Sequence, residues 1–404
     1  MACDRKCAVP SCAAPARGGA GLLSHLFAMC GAPDVGKDVV VVEPDTEARA
    51  MNWMEGKRLT WEHSGEEFAV AGRSRVTAVK ANVPVPVLER RLYLLALTSD
   101  LRSIPWEESA HFFSLDTEVR YSAFCADFGP YNLGMTHHFF TVLKSLLLAP
   151  ALAHKRIVYC TAAKDTDTTN AMYLLSAFLI THLGASPEDA VLPFSSIQKG
   201  KGLVGFRDAT WVQSTFDLSL LDTSAALSAA MRLHLYDPRT FNAPEYFYYD
   251  EPANGDLHEV VQGKFIAFKG PSERRDQQRA AAAAAAGLEA VIKHPSDYVD
   301  VFRVKRVTTI VRLNSKEYCK SAFTEAGFVH VDLYYPDCTA PPDSVVDEFL
   351  RLAEHGDTGV IAVHCFAGLG RTGTLFALCC LPCGVCPVDD AIVHREEGSF
   401  AIYA

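Results

Sequence analysis

One stretch near the C-terminal end constrains the rest of the chain: Val363-His364-Cys365-Phe366-Ala367-Gly368-Leu369-Gly370-Arg371-Thr372-Gly373-Thr374. It reads as a buried strand over Val360-Ile361-Ala362-Val363, a glycine-rich loop, and a helix start at about Arg371. Cys365 and Arg371 bracket a loop of five residues, Phe366, Ala367, Gly368, Leu369 and Gly370, which has the form of a phosphate cradle. Backbone N–H groups of such a loop point inward as an anion nest, and the following helix adds the positive end of its dipole. Gly368, Gly370 and Gly373 remove Cβ atoms that would obstruct the curvature. Arg371 can fork onto two phosphate oxygens. The same positive field favours a thiolate at Cys365. A thiolate over an anion cradle implies a cysteinyl-phosphate intermediate. The chain contains no G-x-x-x-x-G-K-[ST], which excludes a nucleotide-binding P-loop.

Composition sets the frame for that loop. The 404 residues suffice for two or three domains. A net charge of −10 argues against a general nucleic-acid binder and favours basic partners. The 13 cysteines lack the regular spacing of a secreted scaffold. The N-terminus has no apolar signal core, and no run of about 18 apolar residues occurs, so no membrane span is expected. A reducing intracellular compartment follows, which suits a thiolate nucleophile.

Residues 1–86 read as an N-terminal extension, partly disordered, with one candidate strand at Val39-Val40-Val41-Val42. Cys3, Cys7 and Cys12 allow zinc or incidental thiols. From Val87 the pattern alternates. Strands are expected over Arg91–Leu97, His111–Leu115, Phe124–Pro130 and Arg156–Cys160, and helices over Asn132–Leu148 and Thr169–Leu183. Alternating strands and helices mean an α/β layer fold. Phe206–Trp211 and the aromatic run Tyr246–Tyr249 are expected to pack at a domain interface, and Gly263–Phe268 to be a strand. Residues 269–287, with the seven alanines Ala280–Ala286, read as a linker. A second domain over 288–404 begins with a strand at Thr308–Leu313. A helix over Lys316–Ala326, a strand over Phe328–Leu333, a proline-flanked loop and a helix over Ser344–His355 follow. There is an internal echo: Ile157–Ala162 resembles Ala362–Ala367, with Cys160 in the place of Cys365 and Asp127 preceding it as Asp337 precedes Cys365. Thr166 stands where the arginine would be, so 87–268 reads either as a duplicated domain without a working cradle or as a chance likeness.

Cleaving a phosphoester with a thiolate also needs an acid for the leaving oxygen. Asp337, on the proline-flanked loop after a strand, is the candidate; Asp332 reads as structural and Asp343 as a helix cap. His364 is expected to brace the loop, or to be a satisfied core histidine. Thr372 is expected to offer its hydroxyl to the sulfur.

The stretch His364–Thr374, with Thr309–Asn314, Ala326-Gly327-Phe328 and the Asp337 loop, resembles the cell-division-cycle-fourteen dual-specificity phosphatases. The first domain resembles that family's N-terminal domain through Ala126–Leu133, Leu192-Pro193-Phe194, Gly205–Ala209, Asn254-Gly255-Asp256 and Gly263–Phe268. The resemblance covers about residues 87–400. It implies two tandem dual-specificity-phosphatase-like domains, each a central sheet flanked by helices, only the second catalytic. It implies metal-free hydrolysis, without a cofactor, of phosphoserine and phosphothreonine before proline, and of phosphotyrosine. The implied partners are phosphoprotein substrates of cyclin-dependent kinases, with no nucleic acid. The implied location is nucleus and cytoplasm, including the centrosome, spindle or basal body. An acidic groove at the domain interface would include Glu188 and Asp189; a solvated helix start is the alternative. Two features depart from the family. Phe366 stands where lysine is usual, and Pro382 breaks the last helix in a chain that stops at Ala404 without the family's paired glutamines. These departures lead to the expectation of either a C-terminally truncated catalytic domain or a slow second step. The altered C-terminal end keeps a phosphoprotein-binding adaptor open as an alternative; a phosphoinositide phosphatase ranks lower, because Phe366 and Leu369 stand where that substrate would want lysines. Cys379, Cys380, Cys383 and Cys386 could be buried thiols, a zinc site or a disulfide partner for Cys365.

Overall fold

The computed structural model describes residues 58–60, 67–69, 83–98, 109–194, 204–214, 216–273, 293–355 and 358–380. The expectations for Val39–Val42, the N-terminal cysteines, the alanine run, Pro382, Cys383 and Cys386 lie outside the described residues.

The first unit is a four-stranded sheet. Its strands are β1 (Val85–Leu88), β2 (Leu92–Leu97), β3 (Ala110–Phe113) and β4 (Arg156–Ala162), in the order β1-β2-β4-β3. β1 is antiparallel to β2, while β2 and β3 both run parallel to β4. Helix α1 (Leu133–Leu148) starts where Asn132 accepts from the Met135 amide, a cap worth about 1 kcal/mol. Helix α2 (Asp165–Leu183) is buried along almost its whole length, and α3 (Pro187–Val191) and α4 (Leu220–Arg232) pack on it. Leu92, Leu94, Ile157 and Tyr159 face these helices, whereas Tyr93, Leu95, Val158 and Cys160 face the other side. Both faces of the central strands are covered, hence their unbroken apolar runs.

The second unit is a five-stranded sheet. Its strands are β5 (Leu257–Val261), β6 (Phe265–Phe268), β7 (Val307–Arg312), β8 (Val329–Asp332) and β9 (Val360–His364), in the order β8-β7-β9-β6-β5. β5 is antiparallel to β6; β6 and β7 flank β9 in parallel, and β8 is parallel to β7. One face carries α8 (Asp343–Glu354) and α9 (Gly370–Cys380), the other α6 (Val299–Val304) and α7 (Ser321–Thr324). Helix α5 (Ala243–Asp250) joins the units: Tyr246 stacks on His258 at 4.2 Å, and Asn132 donates to Asp250 at 3.3 Å. Among the described residues no helix is long and apolar enough to cross a membrane.

The domain boundary expected at 268 is therefore misplaced. Strands β5 and β6 belong to the second sheet, with Phe265 opposite Ile361. A strand's apolar pattern shows that it is buried, not which sheet buries it. Nor is the start of the 269–287 stretch a free linker: Gly270 N donates to Phe366 O, Ser272 N to Lys293 O and Glu273 N to Glu317 O. With this boundary the duplication becomes plain. Each unit is an antiparallel hairpin followed by a parallel strand on the far side, with the last strand of the unit, β4 or β9, inserted between.

Three local expectations also change. Phe124–Pro130 is not a strand but a turn around Asp127, which accepts from Tyr121 Oη, Phe124 N and Cys125 N. The helix over Lys316–Ala326 shrinks to Ser321–Thr324, because Arg312 takes the Tyr318 carbonyl and Tyr318 packs in the core. Phe206 is buried, but Trp211 is exposed instead of packing at an interface.

Candidate active site

The parallel strands end together at one edge, and the cradle closes over that edge. Strand β9 is buried at every position, and Cys365 follows it at 4% exposure, packed with Leu375, Phe376 and Cys379 of α9. Gly368 has φ of +80°, and a Cβ there would lie 2.4 Å from the Phe268 carbonyl oxygen. Glycine is needed at this point because the loop rests directly on the backbone of β6. Gly370, by contrast, faces open space and needs no such freedom. A Cβ at Gly270 would come within 2.3 Å of the Cys365 carbonyl, so the chain after β6 supports the cradle from below. Helix α9 starts at Gly370, with Gly373 N donating to Leu369 O and Thr374 Oγ1 to Gly370 O. Its N-terminus points at the loop and favours an anion there.

Arg371 and the segment after β8 hold each other. Arg371 Nη1 donates to the Tyr335 carbonyl at 3.2 Å, and Tyr335 Oη donates to the Arg371 carbonyl at 2.9 Å. Tyr335 is 1% exposed. The sequence alone did not single it out, because a buried aromatic beside a strand is ordinary core. Its neighbourhood to Asp337 was the available signal. Asp337 Oδ1 lies 3.1 Å from Arg371 Nε on the exposed loop and accepts from Cys338 N. The charges of Cys365, Arg371 and Asp337 all act on Tyr335. Thr372 is fully buried at the start of α9, with no hydrogen-bond partner for its hydroxyl. Phe366 and Leu369 are exposed on the rim and Ala367 is half-buried.

His364 lies fully buried beneath the loop. Burial pulls it down to about 3, against the opposing effect of its bond to the Cys365 carbonyl, so its ring is neutral. Nδ1 is 2.9 Å from that carbonyl oxygen and Nε2 is 2.8 Å from Tyr318 Oη.

The corresponding edge of the first unit is blocked. Asp116 Oδ2 accepts from Ala162 N at 3.1 Å and from Thr161 Oγ1 at 3.4 Å, placing a carboxylate at the end of β4. Burial, with Asp167 adding to it, pushes Asp116 up to about 6. Cys160 is not the spatial counterpart of Cys365. It faces away from α2, whereas Cys365 faces α9. In a strand a one-residue offset reverses the side chain, so the echo aligned on cysteine is out of phase. Asp127 is committed to its own turn and has no acid-loop geometry. Asp189 closes the start of α3 with Ser186, and Glu188 is exposed beside it.

Residues 86–230 match the family described as dual specificity protein phosphatase, N-terminal half. Residues 284–384 match the family described as polymorphic toxin system, DSP-PTPase phosphatase. The chain is 37% identical over 289 residues to Dual specificity protein phosphatase CDC14C of Symphalangus syndactylus, covering 71% of this chain and 56% of that one. Along most of its described length the chain is similar to the CDC14 phosphatases. It is 37% identical to CDC14A of Mus musculus, over 72% of this chain and 46% of that one. It is 31% identical to Tyrosine-protein phosphatase CDC14 of Saccharomyces cerevisiae, over 65% of this chain and 47% of that one. The chain spans about half the length of the curated CDC14 relatives it matches. The first matched region covers the four-stranded sheet, and the second covers strands β7, β8 and β9 of the five-stranded sheet.

Proposed function

We propose that this chain is a dual-specificity protein phosphatase whose second unit hydrolyses phosphomonoesters on proteins. One observation carries the reading: at a glycine-turned loop leading into α9, Asp337 pairs with Arg371, and Tyr335 senses Cys365, Arg371 and Asp337 together. In the first step Cys365 Sγ attacks phosphorus while Arg371 and the loop amides hold the equatorial oxygens. The P–S bond forms, the P–O bond breaks, and Asp337 gives its proton to the leaving oxygen. In the second step water attacks phosphorus and passes a proton to the Asp337 carboxylate. The P–S bond breaks and the thiolate leaves; the Thr372 hydroxyl, which makes no hydrogen bond among the described residues, turns to donate to it. The first unit has no cradle of its own and serves as scaffold and substrate platform, with exposed Glu188 as the candidate acidic contact.

The substrates we propose are phosphoserine and phosphothreonine followed by proline, and phosphotyrosine, in proteins marked by cyclin-dependent kinases in the nucleus and cytoplasm. The test is steady-state hydrolysis of an aryl phosphate and of paired phosphopeptides with and without the proline. Turnover abolished by Cys365→Ser supports the reading; turnover unaffected by that substitution, or none at all, overturns it.

A further inference from the structure

The partners around His364 decide where every proton sits. A carbonyl only accepts, so His364 Nδ1, 2.9 Å from Cys365 O, carries the hydrogen. The neutral ring then has a bare Nε2, and Tyr318 Oη, 2.8 Å away, must donate to it. A hydroxyl has one proton to give. The same Tyr318 Oη, 2.8 Å from His330 Nε2, must therefore accept from that nitrogen. This makes His330 the Nε2–H tautomer with a bare Nδ1. Among the described residues that atom is buried without a hydrogen-bond partner, 3.9 Å from Asp332 Oδ1. The chain of bonds is directional: His330 to Tyr318, Tyr318 to His364, His364 to the carbonyl of the nucleophile.

The chain is also mechanically fixed. Arg312, 1% exposed, stacks over the Tyr318 ring at 4.5 Å, donates to the Tyr318 carbonyl at 2.7 Å and pairs with Asp332 at 2.7 Å. Phe268 closes the other side, with its ring 4.8 Å from His364. The charged groups facing His330 are Arg312, Asp332 and Lys320.

We propose that His330, on strand β8, is a positioning residue for the cradle: acting through Tyr318, it holds His364 in the Nδ1–H form that braces the Cys365 carbonyl. Without the His330 donor, the Tyr318 hydroxyl can turn and accept from His364 Nε2. His364 Nδ1 would then be bare opposite a carbonyl lone pair. The backbone at Cys365 would lose its brace, and the loop amides would no longer be held against the sulfur. The inference rests on the phosphatase reading for its purpose, but its geometry does not depend on turnover.

The test therefore uses two readouts on the full chain that need no catalysis. One is the ¹⁵N resonance pattern of the histidine rings, which distinguishes tautomers. The other is the pH profile of Cys365 alkylation by iodoacetamide, followed on the peptide that contains it. His330→Gln keeps an N–H donor and should keep both signatures. His330→Leu removes the donor and Tyr318→Phe breaks the chain. Both should shift His364 to a tautomer mixture and slow alkylation near pH 6 by roughly three- to tenfold, equivalent to about half to one pH unit. His330→Leu that folds yet keeps the parent tautomer and alkylation profile overturns the proposal. If His330→Leu does not fold, Tyr318→Phe, which deletes one oxygen, decides alone by the same criterion. Parent protein without turnover but with the expected tautomer shift leaves the relay standing and removes only the phosphatase reading.

Discussion

At the scale of single residues, two charged side chains divide the work and predict different losses. Arg371 presents a fixed fork, and its position is set by Tyr335 at both the carbonyl and the hydroxyl. Lysine cannot supply two parallel donors. Arg371→Lys should lower kcat/KM on phosphopeptides by about a hundredfold or more. Asp337 acts only where the leaving group needs a proton. Asp337→Asn should cut kcat on a phosphoserine peptide by roughly 10²–10⁴ while barely affecting an aryl phosphate with a strongly acidic phenol. Equal losses on both substrates would show that Asp337 is not the acid. Cys365, Arg371 and Asp337 were legible from the sequence because each is an unusual residue type at a loop position. Tyr335, Tyr318 and His330 were not, because their roles consist of which atoms they meet across strands.

At the scale of elements, the cradle depends on backbone resting on backbone. Gly368→Ala would place a Cβ 2.4 Å from the Phe268 carbonyl at a positive φ. Neither atom can swing aside as a side chain could. Thermal unfolding should show a loss of roughly 1–3 kcal/mol, and phosphate inhibition should weaken. The first unit gives a prediction of opposite sign. Asp116 is pushed up from 3.8 to about 6 by its burial at the end of β4. A raised carboxyl contributes stability that is fully present below about pH 3.8 and is lost as pH rises through about 6. At neutral pH the ionised Asp116 therefore costs stability, about 3 kcal/mol. Asp116→Asn should raise the melting temperature at pH 7.5 and leave it almost unchanged at pH 4, as read by calorimetry. A stabilisation that is equal at both values would show that charge is not the cause.

At the scale of the molecule, α5 ties the two sheets together. Lys305, 16% exposed, pairs with Glu245 of α5 and lies 3.5 Å from Glu259 of β5 and 5.1 Å from the centre of the Tyr249 ring. Lys305→Met should cost about 1 kcal/mol, a few degrees in melting temperature. Aryl phosphate turnover at room temperature should be unchanged, because none of these groups touches the cradle. By itself the sequence determined the α/β alternation and the strand–loop–helix around Cys365, since local apolar period, turn residues and motif spacing are properties of contiguous chain. Only the tertiary structure decided that β5 and β6 complete the second sheet, that Cys160 is out of phase with Cys365, and that Asp116 blocks the first unit's strand edge. Those are matters of strand partner, facing and register. They are settled by which surfaces bury one another across long separations, and no contiguous stretch of sequence encodes them.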